Sequence, residues 1–156
     1  MNNLPFVAAL LCALSLPLAH ADEAEHYVKP NIVHPDYGDL NIVMPISLAD
    51  PESWNLRMQH AYNAVMTAKD WNGQAHVVIV LYGAGVKLLT HKDDDLAKTV
   101  ARLRDAGITF KVCNNSMRGM NLDWHNLNGV AEADIVPAGI LEVPYLERKG
   151  YYMDSE

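Results

Sequence analysis

Cys113 stands where covalent chemistry is plausible in this 156-residue chain. It closes the apolar run Ile108-Thr109-Phe110-Lys111-Val112 and is followed by Asn114, Asn115 and Ser116, with Arg118 close behind. The nucleophilic form of cysteine is the thiolate. Polar side chains, a fixed positive charge and backbone amides aimed at the sulfur all favour it. The same pattern also fits a packing residue, because free cysteine is among the most buried residue types. Spacing alone leaves both readings open.

Other constellations carry weaker signals. Cys113, Met117, Met120 and His125 fall close together, and sulfur with imidazole suits Cu(I), although no CxxC or paired-histidine spacing accompanies them. Gly83-Ala84-Gly85 follows a β-branched run, but a dinucleotide fingerprint needs a further glycine where Leu88 stands. A tight turn explains these glycines, and the expectation is that their amides line a cleft shared with Asn114, Asn115 and Ser116. Ser116, Asp123 and His125 lack a GxSxG elbow, so a hydrolase triad is set aside. Asp93-Asp94-Asp95 is a helix start rather than a calcium loop. His76 opens a buried strand and is expected to be satisfied there.

The elements that must position Cys113 alternate. Leu40 to Ile46 is a first strand, with Pro45 limiting it to a strand end or edge. Asp50-Pro51-Glu52 starts a helix of about five turns, with Trp54, Met58, Ala61, Tyr62 and Val65 on its buried face and Gly73 after its end. Ala75 to Tyr82 is a continuous apolar strand, buried on both faces. A second helix runs from the Asp93–Asp95 cluster to Gly107, through Leu96, Val100 and Leu103. Ile108 to Val112 is the strand that delivers Cys113. Asn121 is expected to cap a short helix through Leu127, Ala133 to Val136 to form a short strand, and Pro137 to Lys149 to form a last helix stopped by Gly150. Pro144 is awkward in that helix unless the helix starts near Val143. Strands alternating with helices predict an α/β fold with a central, mostly parallel sheet between helices. Reactive groups in such sheets gather at the carboxyl ends of strands, where Cys113 falls.

Half of the residues are hydrophobic and the net charge is −7, so the chain has enough apolar residues for one core and no basic stripe for nucleic acid. Residues 1–21 read as a signal peptide: Phe6 to Leu18 is apolar apart from Ser15, and Ala19-His20-Ala21 supplies small residues before Asp22. Leu11 before Cys12 argues against a lipoprotein. Cleavage after Ala21 would place the protein in the periplasm or outside the cell, unattached to membrane. Cys113 would then be its sole cysteine, with no internal disulfide. Residues 22–39 read as an N-terminal arm, and 40–156 as the domain.

From Leu40 onward the chain resembles the DsrE/DsrF-like family, small α/β proteins of sulfur metabolism. The resemblance is carried by the strand before Gly83-Ala84-Gly85-Val86, by "LRDAGITFKVCNNSMRG", and by the tail "VPAGILEVPYLERKGYYM" from 136 to 153. In the family's sulfur-relay members, a cysteine at the end of this strand, with Arg-Gly several residues later, accepts sulfane sulfur as a persulfide. Cys113 and Arg118-Gly119 match that position. The resemblance implies a three-layer α/β/α fold, a thiolate at Cys113 supported by Arg118, and a homo-oligomer, trimer or hexamer. It also implies a sulfur donor and acceptor, either protein or small thiol, and no cofactor. Such a sulfur carrier or sulfurtransferase works with or without turnover. Met117-Arg118 departs from the two arginines of the relay subunits, Asn114-Asn115 from their small apolar residues, and the export signal from their cytoplasmic location. The alternative is a non-catalytic, homo-oligomeric binding or assembly module in which Cys113 packs, with Cu(I) binding as a lesser one.

Overall fold

The computed structural model describes residues 36–155. The signal-peptide reading and most of the expected arm lie outside these residues. The first strand, β1 (Asp39–Ile46), leads into the long helix α1 (Pro51–Asp70). Asp50 caps that helix by accepting from the Glu52 N–H at 3.2 Å. Pro51 at its first turn has no N–H to leave unpaired, and Glu52 and Lys69 complement the two helix ends. β2 (Gln74–Leu81) follows, then α2 (Asp95–Asp105), β3 (Thr109–Cys113), α3 (Asn114–Gly119), β4 (Ile135–Val136), α4 (Gly139–Arg148) and β5 (Tyr152–Met153).

The five strands are ordered β4-β3-β2-β1-β5, and every neighbouring pair is parallel. The chain steps outward from β1 through β2 and β3 to β4. α4 then carries it back across the sheet to β5 at the far edge. Right-handed crossovers in opposite directions place their helices on opposite faces. The core divides accordingly. Met44, Ile46, Val77, Ile79, Leu81, Phe110 and Val112 pack in one cluster with Trp54, Met58 and Ala61 of α1 and Val100 and Leu103 of α2. Val43, Val78 and Val80 pack on the other face against Val143 of α4. The alternation along β2 follows the two-residue period of a strand, and burial on both faces explains its unbroken apolar run.

Several expectations change here. Asn121 ends a helix rather than starting one. It adopts a positive φ of 51°, its N–H reaches the Arg118 carbonyl at 3.2 Å, and the Leu122 N–H reaches the Met117 carbonyl at 2.9 Å. That bonding pattern closes α3, and asparagine tolerates the left-handed conformation it requires. Only a 3₁₀ turn, Trp124–Asn126, capped by Asp123, falls in the expected helix. The glycines at 83 and 85 open an eight-residue 3₁₀ segment, Gly83–Thr90, which buries Val86, Leu88 and Leu89. α4 runs through Pro144 without interruption, and β5 was not expected at all. His76 is exposed on β2 rather than buried.

Candidate functional site

Cys113 is both the last residue of β3 and the N-terminal cap of α3. Polar groups from three strand ends meet around it. The first is the residue's own continuation: in α3 the Ser116 N–H donates to Cys113 Sγ at 3.4 Å, and the Asn115 N–H also points at the sulfur. The second is the end of β4. Val136 pairs in register with Cys113, so the chain beyond it brings the Gly139 N–H, at the start of α4, onto the same sulfur. The Asn115 N–H also lies 3.4 Å from the Pro137 carbonyl, tying α3 to this segment. The third is the end of β2, where the Gly83 N–H donates to Ser116 Oγ at 2.7 Å. The Ser116 hydroxyl, held there, is among the groups that lower the pKa of the Cys113 thiol.

Glycine is needed at two of these points. A Cβ on Gly139 would lie 2.6 Å from Tyr82 Cβ, so only glycine lets α4 begin this close to the end of β2. Gly83 has a φ of +52°, and a Cβ there would lie 3.0 Å from the Ser47 carbonyl oxygen.

Opposed effects act on the thiol. Burial, the largest single one, pushes its pKa up. The Ser116 hydroxyl and the amides of Gly139, Ser116 and Asn115 together outweigh it and hold the group below its ordinary value of 9.0. The residue is only 4% exposed. A sulfur accepting several hydrogen bonds at a strand end is arranged to carry negative charge, and a thiolate so held serves as a nucleophile and as a leaving group.

The other expected residues fall in different places. Asn115 contributes through its backbone, and its side chain is exposed; Asn114 is half-buried. Arg118 lies exposed on the last turn of α3, and its guanidinium is not among the groups that lower the thiol's pKa. Of the three residues at 83 to 85, Gly83 alone reaches Ser116. The Gly85 N–H is taken by the carbonyls of Ser47 and Tyr82 at 3.0 and 3.1 Å, and Ala84 is half-buried. In the copper set, Met117 turns into the core, with Met120 packed against it. The His125 imidazole is held by Asp123 at 2.7 Å and stacks on Trp124. Among the described residues, no three His, Cys, Asp or Glu side chains are grouped to hold a metal ion. Gly139 and Tyr82 were not singled out from the sequence. The one available signal was a glycine at a helix start just after a short strand.

On the other side of Tyr82 a cavity of about 220 Å³ opens, lined by Ser47, Ser53, Arg57, Tyr82 and Ser155 among others. It lies at the carboxyl ends of the paired strands β1 and β5, where the strand order reverses. In doubly wound sheets the space outside the strand ends at such a reversal is the usual ligand crevice.

The DsrE/DsrF-like family model matches residues 51–152. A solved protein of unknown function from Methanobacterium thermoautotrophicum superposes with a TM-score of 0.64 at 21% identity, over 74% of this chain and 98% of that one. A conserved protein of unknown function from Bacteroides thetaiotaomicron does so with a TM-score of 0.56 at 21% identity, over 74% and 94% of the two chains. At this identity the two structures establish a shared fold. No curated protein matches the chain significantly.

Proposed function

The chain belongs to the DsrE/DsrF-like family, and from that premise we propose that it is an exported sulfur-handling protein that accepts and passes on sulfane sulfur at Cys113. The carrying observation is Cys113 at the end of β3 with the Ser116 N–H on its Sγ at 3.4 Å, in a setting whose hydroxyl and amides hold the thiol below its ordinary pKa. In uptake, the Cys113 thiolate attacks the outer sulfur of a persulfide R–S–SH. The donor's S–S bond breaks, R–S⁻ leaves, and Cys113 holds the sulfur as a persulfide. In release, an acceptor thiolate attacks that outer sulfur and Cys113 leaves as the thiolate. Both steps are displacements at sulfur, governed like thiol–disulfide exchange by the charge on the attacking and leaving groups. Arg118, exposed beside the site, would meet the anionic donor or acceptor. Ile140 and Leu141, exposed on α4 next to Gly139, suit contact with a further copy of the chain in a homo-oligomer.

Two observations favour the second reading, a non-catalytic binding module. Cys113 is nearly inaccessible, and the cavity beside Tyr82 offers a hydroxyl-rich crevice that does not need the thiol. Alkylation by a small iodoacetamide separates the two. A stabilised thiolate predicts that folded Cys113 reacts at neutral pH at least as fast as the same thiol in the unfolded chain. Reaction only after unfolding makes Cys113 a packing residue and leaves the module reading standing.

A further inference from the structure

We infer that Ser116 is the positioning residue of this site, its hydroxyl aimed by the Gly83 N–H so that it donates to Cys113 Sγ and governs both attack and departure of that sulfur. The inference rests on the reading of Cys113 as a sulfur acceptor and adds the residue that tunes it.

A serine hydroxyl has one proton to donate and two lone pairs to accept with, and an unconstrained one rotates among partners. Here the Gly83 N–H occupies an acceptor position at 2.7 Å, leaving the proton for another partner. The proton is thereby left for the sulfur, which lies 3.4 Å from the backbone nitrogen of the same serine. Gly83 is itself fixed: its positive φ and the Ser47 carbonyl leave no room for a side chain. The hydroxyl's direction is therefore set from the end of β2, outside the segment that carries the cysteine. In this way two strand ends act on one sulfur.

The consequence differs between the two states of the site. Before uptake the negative charge sits on Sγ. Once the outer sulfur has been transferred and R–S⁻ has left, Sγ is an internal sulfur and any charge lies on the outer atom. A donor fixed on Sγ thus favours the thiolate over the persulfide. It raises the share of thiol ionised and ready to attack at a given pH, and it favours surrender of the sulfur to an acceptor thiol.

The test compares the full chain with Ser116→Ala and Ser116→Thr. Thiolate absorbance is titrated against pH, each protein being referenced to its own Cys113→Ser counterpart so that Cys12 cancels. The alanine variant is expected to titrate at higher pH and to alkylate roughly fivefold more slowly at neutral pH, as loss of one hydrogen bond to a charged sulfur implies. Threonine keeps the hydroxyl and is expected to restore wild-type titration. Equilibrated with glutathione and its persulfide, Ser116→Ala should retain a larger share of the sulfur. An unshifted titration in Ser116→Ala overturns the inference, and so does a threonine variant shifted as far as alanine, since packing would then be the cause. Unchanged thermal unfolding of the variants shows that they are folded. If the wild type takes up no sulfur while Ser116→Ala still shifts the titration, the sulfur-acceptor reading falls and the role of Ser116 in holding the thiolate stands.

Discussion

At the residue scale, the behaviour of Cys113 depends on hydrogen-bond donation outweighing burial, and this sets a pH dependence. The folded thiol ionises below its ordinary value of 9.0, so folding is favoured by ionisation. That contribution is complete above the unfolded value and fades as pH falls through the folded value. The melting temperature of wild type relative to Cys113→Ser should therefore rise as pH is raised through this window. A difference that stays flat or falls would contradict the direction. Gly139→Ala tests the geometry separately. Its Cβ meets Tyr82, so it should cost about 2 kcal/mol of stability, read from denaturant midpoints, and move the thiol titration upward by displacing the Gly139 N–H. Cys113, Ser116 and Gly83 were legible as candidates because reactive residue types stood beside turn signals. Gly139 was not, because its reason for being glycine is Tyr82, far away in sequence and adjacent only once the strands have paired.

At the element scale, the legible parts were those whose signals are local and periodic. α1 and α2 carry caps and buried stripes that sequence alone displays, and β2 announces itself by an apolar run longer than any turn allows. The failures share a cause. Asn121 has the same side chain whether it caps a helix start or closes a helix end, and the bonds from Asn121 and Leu122 back to α3 decide between them. The two residues of β5 have no pattern of their own and are strand only because β1 offers an edge. Pro144 sits inside α4, where it denies an N–H to the Ile140 carbonyl, and packing of Val143 on the sheet outweighs that cost. Pro144→Ala should accordingly stabilise the protein by about 1 kcal/mol in chemical denaturation, and a loss of stability would show that the proline ring itself packs there.

At the scale of the whole domain, the reversal of strand order brings together β1, where the described chain begins, and β5, where it ends. Arg57, only 2% exposed, secures this junction: its guanidinium bonds the Asp154 carboxylate at 2.9 Å, the Asp154 carbonyl at 2.5 Å and the Pro45 carbonyl at 3.3 Å. The Asp154 N–H meanwhile donates to the Val43 carbonyl at 2.9 Å. Arg57→Ala should cost about 2 kcal/mol, moderated because the Asp154 carboxylate is partly solvated once released. The amide of Asp154 should lose its protection from hydrogen exchange, whereas retained protection would show that β5 holds without the arginine. The sequence pattern made the layered α/β fold legible. Strand order was not legible, because every crossover in a parallel sheet reads alike until the faces of the helices are known. The central claim concerns sulfur, and intact mass of the whole chain reads it most directly. Reduced protein is offered glutathione persulfide beside Cys113→Ser. The prediction is a gain of one sulfur atom that the variant lacks and that added thiol removes. A wild type that gains no more sulfur than Cys113→Ser does would contradict sulfur acceptance at Cys113.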